Sequence, residues 1–287
     1  MKKILFIGAT GMLGKPVALE LIRAGFDLTL LGRNTERLQQ LFPNISVVKG
    51  DVFDPASLTS AMTSHDIVYM NLNIKQTDNK TQPLTEREGL QNIISTAAAN
   101  GVQRLGFLSS LVMNYQGMNG FNWWAFDIRH RAADMIKKSG MRYSIFYPST
   151  FMETLDKQML KGSRLMLAGK SEAPMWFIAA KDFGIQVAWA FKKTEDANQE
   201  YTIQGPEPYT FDEAARIFIE NYRKSKLNTM KAPVAPLKIL GIFNQRLNYA
   251  ANILEALNKY PEKFVSDKTW NDLGKPSTTL AQYASSL

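Results

Sequence analysis

The sequence predicts an α/β fold, a parallel sheet wound with helices on both faces and followed by a small, mostly helical C-terminal portion. Two observations carry this. Short apolar runs alternate with helical segments through the first half of the 287-residue chain, at the pace of βαβ units. Several of those runs are apolar almost throughout, as strands are when helices cover both faces of their sheet. A doubly wound parallel sheet follows, with its crossovers right-handed by rule.

The elements follow in order. Strands are expected at Lys3–Ile7, Asp27–Leu31, Ser46–Lys49, Ile67–Asn71, Arg104–Leu108 and Arg142–Tyr147. Helices lie between them at Leu13–Ala24, Thr35–Leu41, Pro55–Met62, Leu84–Asn100 and Trp123–Lys138. Gly25 and Gly101 stand where two of those helices should stop. After Pro148 the pattern changes to a helix over Phe151–Leu160, a short strand Arg164–Leu167, a helix Ala180–Lys192 and a returning strand Glu200–Ile203. Thr210 and Glu213 make a capping box that opens a helix reaching about Lys224. Pro233 to Tyr260 reads as helical and apolar on one side. Core packing is the commoner outcome at that spacing, and a membrane-surface helix over Leu237–Leu257 is the alternative.

The first strand runs straight into Gly8-Ala9-Thr10-Gly11-Met12-Leu13-Gly14, and a helix begins near Lys15. Strand, glycine-rich turn and helix in that order are the context in which a glycine motif means dinucleotide binding. One glycine turns tightly, one lets backbone N–H groups approach a pyrophosphate at the positive end of the helix, and one lets helix and strand pack closely. A plain βα turn is the alternative, since glycine spacing alone is a weak signal.

Composition narrows the remaining possibilities. No run approaches the roughly 20 apolar residues of a membrane span; Leu237 to Phe243 is short and carries Lys238. The apolar stretch after Met1-Lys2-Lys3 belongs to the first strand, so a signal peptide is not expected and a cytoplasmic location is. With no cysteine and only His65 and His130, neither a disulfide framework nor a metal site is expected. The net charge of +8 is scattered, its densest pairs being Lys137-Lys138, Lys192-Lys193 and Arg223-Lys224. No nucleic-acid module accompanies it, which leaves surface solvation and attraction of a polyanionic cofactor.

Further motifs carry a family resemblance. Gly8-Ala9-Thr10-Gly11 with Gly14 resembles the extended and atypical short-chain dehydrogenases/reductases, in their NmrA-like and isoflavone-reductase-like branch. Gly50-Asp51-Val52-Phe53-Asp54, Ser109-Ser110 and Ser139-Gly140 leading to Pro148, Phe151, Met152 and Glu153 match downstream. Gly205-Pro206-Glu207 and Gly274-Lys275-Pro276 extend the likeness almost to the end. The resemblance implies a Rossmann-type dinucleotide domain over residues 1–150, with 177–204 returning to it. It also implies a substrate-binding lobe from 151–176 and 205–287 over the nicotinamide end.

The second strand is followed by Gly32-Arg33-Asn34, with no acid before Glu36. An NAD enzyme places a carboxylate here to hold the ribose hydroxyl, and that carboxylate would repel a 2′-phosphate. Arg33, with Arg37 one turn on, offers a fork of donors instead, so NADP(H) is expected rather than NAD(H); a solvated loop arginine is the alternative. The resemblance directs Asp51 toward the adenine amino group with Val52 beside it. Asn71-Leu72-Asn73 ends the fourth strand, where backbone nears the ribose, unless it is an ordinary Asn-rich turn. The expected cofactor set is Gly8, Thr10, Gly11, Met12, Leu13, Arg33, Asn34, Asp51, Val52, Asn71, Leu72, Asn73, Ser109, Pro148 and Phe151.

Catalysis is where the pattern departs. The resembling superfamily uses a Ser with a Tyr and a Lys four residues apart on a helix. Counting back from Ser139-Gly140 puts Phe126 and His130 at the last two positions, and Phe has no proton to transfer. Tyr147 also stands where the family has Arg. The catalytic candidates are Ser110, with Tyr115 or His130 as proton donor; a pocket or loop Tyr115 and an idle His130 are the alternatives. Met113 to Phe126, rich in aromatics, is either core or the wall of an apolar pocket for a flat acceptor. Three functions follow: an NADPH-dependent reductase of a small apolar carbonyl, enone or quinone, a non-catalytic NADP(H) sensor that regulates a protein partner, or an assembly factor built on the same scaffold.

Overall fold

The computed structural model describes residues 2–193 and 197–287. The first half holds strands β1 (Lys3–Ile7), β2 (Asp27–Gly32), β3 (Ser46–Lys49), β4 (Ile67–Met70), β5 (Arg104–Leu108) and β6 (Arg142–Pro148). Helices α1 (Gly14–Arg23), α2 (Thr35–Leu41), α3 (Pro55–Met62), α4 (Leu90–Ala99) and α5 (Trp124–Lys138) connect them. The second half adds β7 (Leu160–Lys161), β8 (Arg164–Ala168), β9 (Met175–Trp176), β10 (Gln199–Ile203), β11 (Pro208–Tyr209) and β12 (Asn228–Ala232). Its helices are α6 (Ala180–Lys192), α7 (Phe211–Asn221), α8 (Ala235–Gly241), α9 (Gln245–Lys259), α10 (Asp267–Leu273) and α11 (Leu280–Ser286).

Seven strands form one parallel sheet in the order β10-β6-β5-β4-β1-β2-β3. The chain starts in the middle at β1, winds outward to β3, then crosses back to β4 and winds the other way. The expected Rossmann-type, doubly wound sheet is therefore present, and its winding reverses between β1 and β4. One face packs on α1 and α6 through Val17, Leu21, Phe183 and Phe191. The other packs on α3, α4 and α5 through Leu58, Ile93 and Ile136. A third core gathers Phe121, Trp123, Phe126, Phe177, Phe211 and Phe218. The capping box of Thr210 and Glu213 opens α7 as expected, and Gly25 and Gly101 take positive φ at helix ends.

Tertiary contacts overrode local periodicity in three places. Phe151–Leu160, expected as a helix, begins as a bridge of Phe151 to Ile178 and continues as a π-helix over Thr154–Met159. Met152 N–H donates to Ile178 O, and the Glu153 carboxylate is drawn to the Ala180 N–H at the start of α6, so the backbone cannot close a regular helix. The expected Leu84–Asn100 helix is present, its first part a π-helix over Thr85–Gly89 that runs directly into α4. There Glu86 turns inward to accept from Ile74 N–H, and Glu88 accepts from Leu84 N–H. Pro233–Tyr260 splits into α8 and α9 where Asn244 caps α9 through Arg246 and Leu247 N–H groups. Core packing, the favoured outcome for that stretch, does not hold for α8, in which Gly241 is the buried residue. α10 packs against α6 and β10.

Two buried carboxylates tie the second half to the sheet. Glu262 accepts from Ser149 Oγ at 2.8 Å and Gln204 Nε2 at 2.7 Å, and Glu153 from Ala180 N–H at 3.0 Å. Burial pushes both carboxyls up to about 7, against the hydrogen bonds that favour the anion. A carboxyl whose pKa is raised on folding keeps its proton in the native state while the unfolded chain releases it. Its contribution is full below the ordinary value of 4.5 and is lost as pH rises through about 7. The difference in Tm between Glu262→Gln and the parent should therefore grow in favour of the variant between those pH values. A difference that stays flat in calorimetry across the window would contradict the assignment.

Candidate dinucleotide site

The site lies at the C-terminal ends of β1 and β4, where the sheet reverses its winding and where ligands bind in open α/β sheets. β1 ends at Ile7 and the chain turns on Gly8 at φ +97°. A Cβ on Gly8 would sit 2.2 Å from the Asn71 carbonyl oxygen, so this close approach of two strand ends excludes a side chain. Gly14 is equally tight, its Cβ position lying 2.5 Å from the Ala9 and Gly8 carbonyls. Gly11 is different. Its Cβ would meet only Gly8 O, at the ordinary distance of 3.4 Å, so no described protein atom forbids a side chain there.

Backbone bonds fold the turn, Gly11 N–H to Gly8 O at 3.2 Å and Gly14 N–H to Gly11 O at 3.0 Å. α1 begins without a side-chain cap and without an acid in its first turn. Its first N–H groups thus keep the positive end of the helix available to an anion. A cleft of about 310 Å³ opens beside the turn. Gly8, Ala9 and Thr10 line it on one side, Arg33, Asn34 and Arg37 on another, and Asp51, Val52, Leu72 and Lys75 complete it. These residues fit a dinucleotide: an uncapped helix start, a glycine left bare by no protein contact, and three cations at one mouth.

Arg33 is exposed, with Nη1 4.0 Å from the Asp51 carboxylate. A pair that long and that solvated is worth little, so the guanidinium is free to turn to a phosphate. Asp51 Oδ1 meanwhile accepts from Phe53 N–H at 3.1 Å and holds the loop after β3. Asn34 spends its side chain capping α2 through Arg37 N–H at 2.9 Å, so what it offers the cleft is backbone and surface. Val52 and Leu72 are buried against the cleft wall. Lys75 and Thr85, also on the wall, escaped the sequence reading because nothing in their local pattern marks them.

Within the turn, Met12 Sδ accepts from Gln158 Nε2 at 3.5 Å, a contact that crosses from the glycine turn to the π-helix before β7. Leu13 occupies the N-cap position of α1 and packs on the core below. Asn73 Oδ1 accepts from Arg129 Nη2 at 2.5 Å, and Arg129 also pairs with the fully buried Glu86 at 3.1 Å. Tyr249 of α9 meets the Trp123 ring edge-on at 5.0 Å; burial raises its hydroxyl, opposed by the Arg129 cation.

The catalytic candidates separate. Ser110 is half-buried just past β5, beside Ser109, whose Oγ donates to Met113 Sδ at 3.5 Å inside the core. Tyr115 is 1% exposed and packed on Phe121 at 4.9 Å. His130 Nε2 lies 3.1 Å from the Met113 carbonyl oxygen, a structural contact. Phe126 sits in the same aromatic core as Phe121 and Trp123, so these rings pack on one another and do not line an open wall. Pro148 is buried at the end of β6, and the Phe151 ring turns into the sheet core against Phe183 at 5.4 Å. Among the described residues no cluster of His, Asp or Glu could hold a metal, and no helix is long and apolar enough to cross a membrane.

Residues 8–172, more than half of the chain, match the NAD(P)H-binding family, and the chain belongs to that family. It is 29% identical over 210 residues to the (4-alkanoyl-5-oxo-2,5-dihydrofuran-3-yl)methyl phosphate reductase of Streptomyces griseus, covering 72% of this chain and 69% of that protein. It is 21% identical over 298 residues to the photosystem II assembly factor Ycf39 of Synechocystis sp., covering 98% and 89%. Its fold superposes on the Citrobacter sp. triphenylmethane reductase complexed with NADP(H), with a TM-score of 0.76, 17% identity and 99% of each chain covered. These matches agree with the short-chain dehydrogenase/reductase resemblance and with a nicotinamide dinucleotide as cofactor.

The three glycines should respond differently to alanine. Gly11→Ala should leave Tm within about 2 °C of the parent while weakening NADPH binding about tenfold or more. Gly8→Ala should instead lose about 2 kcal/mol or more of stability, because it collides with Asn71 and strains the backbone. Calorimetry beside a fluorescence titration reads both. Parental NADPH affinity in a folded Gly11→Ala protein would remove the pyrophosphate from this turn.

Proposed function

We propose that the protein is an NADPH-dependent reductase that delivers hydride to a small apolar carbonyl, enone or quinone. The observation that carries the reading is the exposed Arg33 at the end of β2, beside the bare Gly11 turn and with no acid in the position an NAD enzyme fills. NADPH, when bound, supplies the hydride. The chain's own residues bind and orient. The Gly8–Leu13 turn holds the pyrophosphate through backbone N–H groups, and Arg33 with Arg37 pairs with the 2′-phosphate. Asp51 and Val52 face the adenine side, and Asn71 to Asn73 the ribose. Ser110, at the end of β5, donates a hydrogen bond to the acceptor oxygen. The division into a dinucleotide domain over 1–150 with 177–204, and a substrate lobe from the rest, belongs to this reading. The named reductase activity of the Streptomyces relative supports it.

A second reading, a non-catalytic NADP(H) sensor acting on a protein partner, has its own support. Tyr115, Phe126 and His130 are all engaged in core packing or a backbone contact, which supports a protein without a relay of acids and bases. The likeness to an assembly factor points the same way.

Titration with NADPH, NADP⁺, NADH and NAD⁺ tests the cofactor. Arg33→Ala should weaken NADPH about tenfold to a hundredfold and leave NADH nearly unchanged, the loss of a charge-assisted phosphate contact. NADPH oxidation with a panel of quinones and enones tests catalysis, and Ser110→Ala should lower kcat about a hundredfold, as loss of an oxyanion donor does. No turnover with any acceptor, together with tighter NADP⁺ than NADPH binding, would favour the sensor.

A further inference from the structure

We propose that the turn between α8 and α9 is an interfacial anchor that seats the protein on an anionic bilayer surface. The inference does not depend on the reading of the cleft. Along α8 and into the turn, Ile239 is 64% exposed, Leu240 54%, Ile242 74% and Phe243 89%. Four large apolar side chains within five residues, all facing water, form a contiguous cluster, whereas Phe53, Met118, Trp189, Met230 and Val265 are exposed singly along the sequence. They are not residual core: α8 buries Gly241 against α9, where a Cβ would lie 2.9 Å from the Asn248 backbone, and turns the rest outward.

Charge identifies the occupant. Between Glu220 and Glu255 there is no acidic residue, while Arg223, Lys224, Lys226, Lys231, Lys238 and Arg246 all fall in that interval. Lys238 lies on α8 itself and Arg246 in the first turn of α9, so cations flank the apolar tip on both sides. Lys238 is paired with Glu255 at 2.6 Å and Lys231 with Asp212 at 2.8 Å, both lysines staying half-exposed beside their counter-charges. Long basic side chains beside protruding Phe, Ile and Leu are the pattern of a surface that enters the headgroup region apolar end first, with the cations at phosphate level. A protein partner would have to be both acidic and apolar. A second copy of this chain would have to set these cations against their own kind.

Flotation of the full chain with vesicles tests the assignment. It should float with phosphatidylcholine vesicles containing about one-third phosphatidylglycerol and much less with phosphatidylcholine alone, and raised salt should release it. Ile242→Ser with Phe243→Ser should cut the bound fraction at least about fivefold, while NADPH affinity and Tm stay at the parental values. That unchanged titration keeps a failure here separate from any failure of the reductase reading. The proposal is overturned if the chain ignores both vesicle types, if it binds them equally, or if the double variant floats like the parent. It is also overturned if sedimentation shows a dimer that the double variant dissolves, since the tip would then be a self-contact.

Discussion

The turn at Gly8 passes so close to the end of β4 that the Asn71 carbonyl occupies the space a side chain would need, and the rest of the site is arranged around this contact. It brings together the two strands between which the sheet reverses its winding, and so opens the crevice on the carboxyl side. Gly14 then lets α1 leave at an angle that aims its uncapped start into the crevice. Shifting either glycine would separate the helix start from the cations at the end of β2, and the cleft would lose its polarity.

Pairing divides the polar residues in and beside the cleft into two kinds. Arg33, Arg37 and Lys75 stay solvated and can move to meet a ligand. Arg129, Glu86, Asn73 and Tyr249 form a connected group that joins the loop after β4 to α5 and α9. Glu86 is buried with Arg129 as its counter-charge and Ile74 N–H as a donor, which is what makes a buried carboxylate tolerable. The first group favours binding and the second fixes where the second half of the chain stands over the sheet.

The aromatic segment after β5 follows the same logic in apolar form. Tyr115, Phe121, Trp123 and Phe126 fill the third core, and through it α5 is braced against α9. A helix position that the resembling superfamily uses for proton transfer is here a packing position. The chemistry left to the protein side of the cleft is accordingly sparse, and any turnover relies on orientation more than on a relay of acids and bases.

The fold of the first half was legible in the sequence because its period and its turns are local properties. Strand lengths, the glycine turn, the helix stops at Gly25 and Gly101 and the Thr210 capping box each depend on residues a few positions apart. The same holds for Arg33 at the end of β2. Tertiary structure alone decided the rest. Whether Tyr115 and His130 reach a substrate depended on which core claimed them, and Met113 claimed one through its carbonyl while Phe121 packed on the other. Whether α8 was covered depended on what stood opposite it: α9 meets it at Gly241, while Ile239, Leu240, Ile242 and Phe243 stay exposed among the described residues. Periodicity states that a face is apolar; only the packing of distant segments states what that face meets.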